Sequence, residues 1–382
     1  MKMKRYTALV FGIILLFSTL FGCSGDTDSL RKDLGNGWKP ERSMKLQYAK
    51  NFSVDYYNGG YGLITLSDSS QYLVIPQGRE VPEGISAKIT VLQQPINNLY
   101  LAATSTMCLF DALDALDHIT LSGTKAEDWY IKNAKAAMQA GKILYAGKYS
   151  APDYEMILSK GCSLAIESTM ISHAPEVKEK LEDVGIPVLI DQSSYESHPL
   201  ARTEWIKLYA VLMGKEDLAE KLFNEQIAYM NDAAGKENTG KTVAFFHISS
   251  SGYAVTRKQG DYVTKMIELA GGNYIFKDLG DPEKAMSTVT LEMERFYATA
   301  KEADYIIYNS TIGGEISSLG ELISKNSLLK DFKAVQNGNV WCTDKNLFQE
   351  TTQLGLMISD IHQMLTDRSE GLTKLNFMYK LE

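Results

Sequence analysis

Cysteine and histidine are scarce in this chain: four and five in 382 residues. Cys108, Cys162 and Cys342 stand far apart, too few for a disulfide framework and without the CxxC spacing of a zinc site. Burial as small residues is the expectation for them, with one oxidised pair outside the cell as the alternative. His118, His173, His198, His247 and His362 are scattered, and His118 and His362 fall in helical runs. No HExxH, GxSxG or other nucleophile–base motif occurs, so the sequence offers no enzyme chemistry. Long basic blocks are also missing and the net charge is −8, which argues against nucleic acid as a partner.

The N-terminus holds what the rest lacks. Lys2, Lys4 and Arg5 precede an apolar run over residues 8–21, short for a membrane span of about 20 residues but suited to a signal segment. Gly22-Cys23 follows, then the polar stretch SGDTDS. Leu20-Phe21-Gly22-Cys23 resembles a bacterial lipobox, which implies a signal peptide over 1–22, a diacylated Cys23 and a flexible tether over 23–48. An uncleaved anchor is the alternative. Either way the folded part is expected outside the cytoplasm, tethered to a membrane face.

One motif points the other way. GKENTGKT, residues 235–242, matches the phosphate-loop pattern G-x-x-x-x-G-K-[ST]. That loop works only when a strand enters it and a helix leaves it with its N-terminus aimed at phosphate. Here the order is reversed, because a long helical pattern precedes the motif and the strand-like TVAFFHI follows it. Gly235 therefore reads as a helix C-cap and Gly240 as a turn residue.

Elsewhere the chain alternates. FSVDYY, YGLITLS and QYLVIPQ read as strands separated by NGG and SDSS turns. KITVLQQ, LYLAATS, SLAIES and IPVLID interleave with helical runs such as PEVKEKLEDVG. From Arg202 to about Ala234 apolar residues recur at helical spacing, with Gly214 as a break point. A second series follows, with strands TVAFFHISS, DYIIYNST and NVWCTD and the closing helix LGLMISDIHQMLTD. This pattern predicts α/β layers on largely parallel sheets. The halves also echo each other: SLAIESTMIS and YIIYNSTIGG each end a strand in a polar residue plus Ser-Thr, and a Glu-bearing helical segment precedes each. In open α/β sheets ligands bind at such carboxyl ends.

These residues carry a resemblance. LAATSTMCLFDALDALDHI, APDYEMILSKGCSLAI, SHPLARTEWIKLYAVLMGKEDLAE and AGGNYIF are similar, in that order, to elements of the binding proteins that serve ABC importers of ferric siderophores, haem and cobalamin. Cys162-Ser163 replaces the family's usual Pro-Asp, while Asp304 keeps the acid in the second half. The resemblance implies two Rossmann-like lobes, 49–201 and 237–382, joined by one long helix over 202–236, with a ligand cleft between them. It implies a monomeric, lipid-anchored receptor on the outer face of the cell membrane, working with an ABC permease and its cytoplasmic ATPase. An iron-siderophore chelate is the first expectation for the solute, a corrinoid or haem the second. The region of about 50–80 lies outside the shared pattern.

The resemblance also suggests site residues. Permease docking through one surface Glu per lobe falls by position on Glu155 and Glu294, with Glu292 as competitor to the latter. Cleft candidates are Ser105, Thr106, Trp129, Ser168 and Thr169 from the first lobe, Glu196, His198 and Arg202 from the crossing segment, and Tyr253, Arg257, Asn309, Ser310 and Phe348 from the second. Arginine suits anionic ligands through paired hydrogen bonds, and tyrosine suits aromatic ones. The plainer alternatives are that Arg202 pairs with Glu196 or Glu204, Trp129 is core, His198 is a bonded loop residue, and the hydroxyls cap helices. A receptor for bare Zn²⁺ or Mn²⁺ would need about three or four His or carboxylate ligands. His198, His247 and Glu196 are the candidates for such a set.

Overall fold

The alternating runs assemble into four sheets in the computed structural model, which describes residues 37–382 apart from 235, 283, 286, 368 and 370. The expected signal segment, Cys23, most of the tether and the Gly235 cap lie outside these residues.

The first sheet follows chain order: β1 (Arg42–Ser43), β2 (Phe52–Tyr57), β3 (Tyr61–Leu66), β4 (Gln71–Ile75) and β5 (Ile89–Gln93), antiparallel except for the parallel β4–β5 pair. Gly59 and Gly60 turn β2 into β3 with φ of 90° and 85°, a region closed to most side chains. Both faces of β2 and β3 are buried. One face joins the main core, and the other packs Tyr57, Leu63 and Leu73 into a small cluster under Trp38.

The second sheet holds β6 (Leu99–Leu101), β7 (Ile119–Ser122) and β8 (Leu144–Tyr145). After a short hairpin of β9 (Gly147–Lys148) and β10 (Ala151–Pro152), it is completed by β11 (Leu164–Ser168) and β12 (Val188–Asp191). Its order is β12-β11-β6-β7-β8 and every pairing is parallel. The third sheet contains β13 (Thr242–Ile248), β14 (Ala254–Arg257), β15 (Asn273–Tyr274), β16 (Thr288–Leu291), β17 (Tyr305–Tyr308), β18 (Val340–Thr343) and β19 (Met378–Lys380). Here β13, β15, β17 and β18 run parallel, while β14 beside β13, then β16 at one edge, and β19 at the other join through antiparallel pairs. The α/β architecture with two sheet-based lobes stands as expected, with the N-terminal sheet as an addition.

The expected single connecting helix is divided. Residues 199–234 form three helices, Pro199–Glu204, Ile206–Met213 and Glu216–Ala234. Gly214 ends the second in the left-handed region, φ 65°, where other residues are strained. The last helix lies against the closing helix Leu354–Thr366. A Cβ at Gly355 would stand 2.1 Å from the Gln226 carbonyl, so glycine sets this approach.

Backbone donors of the N-terminal segment hold the crossing. The N–H groups of Gln47, Tyr48 and Ala49 donate to the Glu204 carboxylate, at 2.8 Å for Tyr48, and those of Lys50 and Asn51 donate to Glu196 Oε1. Lys207 Nζ, 3.2 Å from Glu204, balances the buried charge. The described part of the phosphate-loop motif leads from a helix into a strand, the order its context implied. Thr242 opens β13 and bonds Asp304 through its backbone N–H and its hydroxyl, while Gly240 turns at φ 70°.

Candidate functional cleft

A cavity of about 550 Å³ lies between the lobes at the carboxyl ends of their strands. Ser105, past β6, and Ser193 and Ser194, past β12, face it from the first lobe. His247 on β13, Arg257 on β14, Thr288 on β16 and Asn309 past β17 face it from the second, with Leu347, Phe348 and Leu354 as apolar wall. Arg202 enters from the crossing helix and Tyr262 from the first turn of helix Tyr262–Leu269.

The charged side chains that line the cleft have one sign. Arg202 and Arg257 are the charged side chains on the wall, and no carboxylate lines it among the described residues. Arg202 is fixed by its Nε donating to the Glu196 carbonyl at 3.1 Å and Nη2 to the Ser194 carbonyl at 2.8 Å. Its guanidinium lies 3.9 Å over the Tyr262 ring. Burial lowers its proton affinity, and the Arg257 charge acts the same way, yet a guanidinium stays charged at neutral pH. Arg257 donates from Nη1 to Asp261 Oδ2 at 3.3 Å and stands 4.9 Å from the centre of the Phe348 ring. Asp261 sits behind the wall, where it also caps its helix by accepting from Val263 N at 2.8 Å. Burial raises the Asp261 carboxyl, against the pull of Arg257.

Two neutral groups complete the set. His247 is buried, and burial followed by the Arg257 charge pushes its imidazole pKa down, leaving it neutral. Asn309 Oδ1 is buried without a hydrogen-bond partner. An orphaned acceptor costs about 1–3 kcal/mol, so it is poised for a donor that arrives with the solute. Gln349 ties the lobes beside the cleft: its Oε1 accepts from Tyr130 N and its Nε2 donates to the Asp128 carbonyl, both at 2.8 Å.

Of the candidates read from sequence, Ser105, Arg202, Arg257, Asn309 and Phe348 meet in this cavity. The others are seated elsewhere for identifiable reasons. Thr106 is buried and its hydroxyl donates to the Ala103 carbonyl. Trp129 is core, its Nε1 donating to Ser122 Oγ at 3.3 Å. Ser168 caps the turn that follows it, accepting from Met170 N, and Thr169 faces a neighbouring hollow. Glu196 is consumed by Lys50, Asn51 and Trp205 Nε1.

His198 Nδ1 accepts from Leu200 N as a helix cap, and its ring stacks on Tyr48 at 4.4 Å. Burial and the nearby lysines push its pKa down to about 4. Tyr253 is exposed in the β13–β14 turn, and Ser310 is buried beside Tyr379. His198, His247 and Glu196 do not converge, and no group of three or more His, Cys, Asp or Glu able to hold a metal occurs among the described residues. Arg202 bonds the backbone of Glu196 rather than its carboxylate or that of Glu204.

Sequence reasoning passed over Ser193, Ser194, Tyr262, Thr288 and Ile312. Ser193-Ser194 carried the same signal as Ser168-Thr169, hydroxyls just past a strand. Tyr262 and Thr288 had none, because their places depend on long-range packing. Glu155 and Glu294 are exposed in the first turns of helices Tyr154–Ser159 and Met293–Ala300, which lead into β11 and β17, and Glu292 is exposed at the cap before Met293.

Residues 102–347 match the sequence family described as periplasmic binding protein. An uncharacterised lipoprotein of Methanocaldococcus jannaschii is 25% identical over 94% of this chain and 91% of its own length. The periplasmic haem-binding protein of Vibrio cholerae superposes with a TM-score of 0.56 at 18% identity, covering 69% of this chain and 97% of that one. The petrobactin-binding protein of Bacillus subtilis gives 0.56 at 15% identity, covering 71% and 92%. The repeated lobes, the cleft at their strand ends and the long family match lead to one assignment: this chain belongs to the periplasmic binding protein family.

Proposed function

We propose that the chain is the extracytoplasmic receptor of an ABC importer, capturing an anionic metal chelate of the iron-siderophore type between its lobes. The observation that carries this reading is the wall of the cleft, with two guanidiniums from different elements and no carboxylate among the described residues. A chelate brings its own metal ligands, so the protein need only supply shape, charge and hydrogen bonds. Arg202 and Arg257 are placed to meet anionic oxygens, Phe348 and Tyr262 to pack on the chelator, and Asn309 Oδ1 to accept from it.

In this reading the protein is a receptor, not an enzyme, held to the outer membrane face by lipid on Cys23. The lipobox-like residues and the lipoprotein relative support that placement. Glu155 and Glu294 present one exposed carboxylate per lobe for the permease. Haem is the second reading, favoured by the neutral His247 imidazole on the wall, a group able to bind haem iron. Tryptophan quenching of the purified protein against ferric siderophores, haem, cobalamins and bare Zn²⁺ decides between them. Saturable quenching by a ferric siderophore is expected. Tight binding of bare Zn²⁺ alone would overturn the proposal.

A further inference from the structure

Beside the cleft, on the first lobe, lies a second hollow of about 370 Å³. Its walls come from the carboxyl ends of β11 and β12 and from Ser67 and Asp68, in the turn between β3 and β4. A pair of hydroxyls separates the two spaces: Ser194 lines the cleft, Thr169 lines the hollow, and their Oγ atoms are 3.0 Å apart. A solute lying over this pair enters both.

The two spaces offer different chemistry. The cleft presents guanidiniums and an orphaned amide oxygen. In the hollow the polar side chains are already engaged. Ser67 donates to Gln192 Oε1, and Asp68 accepts from the backbone and hydroxyl of Ser70. Ser172 donates to the Thr169 carbonyl, and Lys178 is bound to Glu182. What remains open is the ring of Tyr195, 56% exposed, with exposed Pro175 and half-buried Ile190, over a floor closed by buried Ile171. An open aromatic ring beside aliphatic side chains, with polar groups paired off, suits an uncharged apolar group.

We infer that the hollow is a second compartment of the solute site, and that the solute is an amphiphilic chelate. Its anionic head sits between Arg202 and Arg257, and an uncharged apolar arm crosses Thr169 and Ser194 to rest on Tyr195. This rests on the receptor reading above. It also gives the N-terminal sheet, which precedes the stretch matching the family, a part in recognition, because the β3–β4 turn supplies a wall.

The test uses two Fe(III) tris-catecholates of equal charge, made with N-methyl- and N-octyl-2,3-dihydroxybenzamide. Both are titrated by tryptophan quenching into the parent protein and into Tyr195→Ala and Ser172→Trp. Each substitution is at an exposed residue, the first removing the ring and the second filling the hollow. The octyl complex should bind the parent at least about tenfold more tightly than the methyl complex, and both variants should bring that ratio towards one. Equal affinities in the parent, or an octyl preference that survives both substitutions, would overturn the second compartment while leaving the receptor reading intact. Failure of both complexes to bind would sink the anionic-chelate reading, and this inference with it.

Discussion

Glu167 gives the account a quantitative test away from the cleft. It is the penultimate residue of β11, its side chain is buried in the first lobe, and neither carboxylate oxygen has a hydrogen-bond partner. Burial pushes its pKa from the ordinary 4.5 to about 8. The folded protein therefore holds Glu167 protonated across a range in which the unfolded chain ionises it. A raised folded pKa means the contribution to stability is full below about 4.5 and is lost as pH climbs through about 8.

At about 1.36 kcal/mol per unit, the whole loss is about 5 kcal/mol, most of which falls between pH 5 and pH 8. Glu167→Gln has nearly the same shape and cannot ionise, so this loss should vanish from its profile. Urea unfolding of parent and variant at a series of pH values measures it. The stability difference, variant minus parent, should grow by about 3 kcal/mol from pH 5 to pH 8. Parallel profiles would mean that Glu167 ionises freely in the folded state, and the burial argument for this carboxyl would fail.

Two further outcomes follow from the surface and from the crossing. Charge reversal at both Glu155 and Glu294 should abolish uptake by cells while leaving solute affinity within about twofold, since both are exposed and neither lines the cleft. Uptake that survives the double reversal, measured with radiolabelled iron, would remove these residues from the docking role. Glu204→Ala should cost about 3–5 kcal/mol in urea unfolding, because it leaves the N–H groups of residues 47–49 without their acceptor and Lys207 with Glu220 as its one remaining carboxylate. A loss under about 1 kcal/mol would show that the N-terminal segment does not depend on this carboxylate.

Much of this molecule is written locally. Strands such as SLAIES and TVAFFHI declare themselves because buried parallel strands need short, continuous apolar runs. The break at Gly214 is legible for the same local reason, and GKENTGKT is disarmed by its neighbours alone. The antiparallel strands β14, β16 and β19 escape such reading. β16 is largely solvent-facing and polar, and an edge strand is defined by the partner it finds. Side-chain direction is the other limit. Trp129 and Arg202 were equal candidates as text, but one tryptophan face is closed by the core while the arginine is steered by two carbonyls and the Tyr262 ring. The clamp of residues 47–51 on Glu204 and Glu196 joins positions about 150 apart, and no local pattern records it.

If the two guanidiniums of the cleft recruit an anionic chelate, as proposed above, one affinity reports it. A ferric tris-catecholate is titrated into the parent, into Arg257→Ala, and into the Arg202→Ala/Arg257→Ala double variant at fixed low salt. Each charge-assisted bond is worth about 1.5–3 kcal/mol, so the single variant should weaken binding by at least about tenfold and the double variant by at least about a hundredfold. Added salt should weaken the parent more than the double variant. Affinity unchanged by removing both arginines would contradict the account.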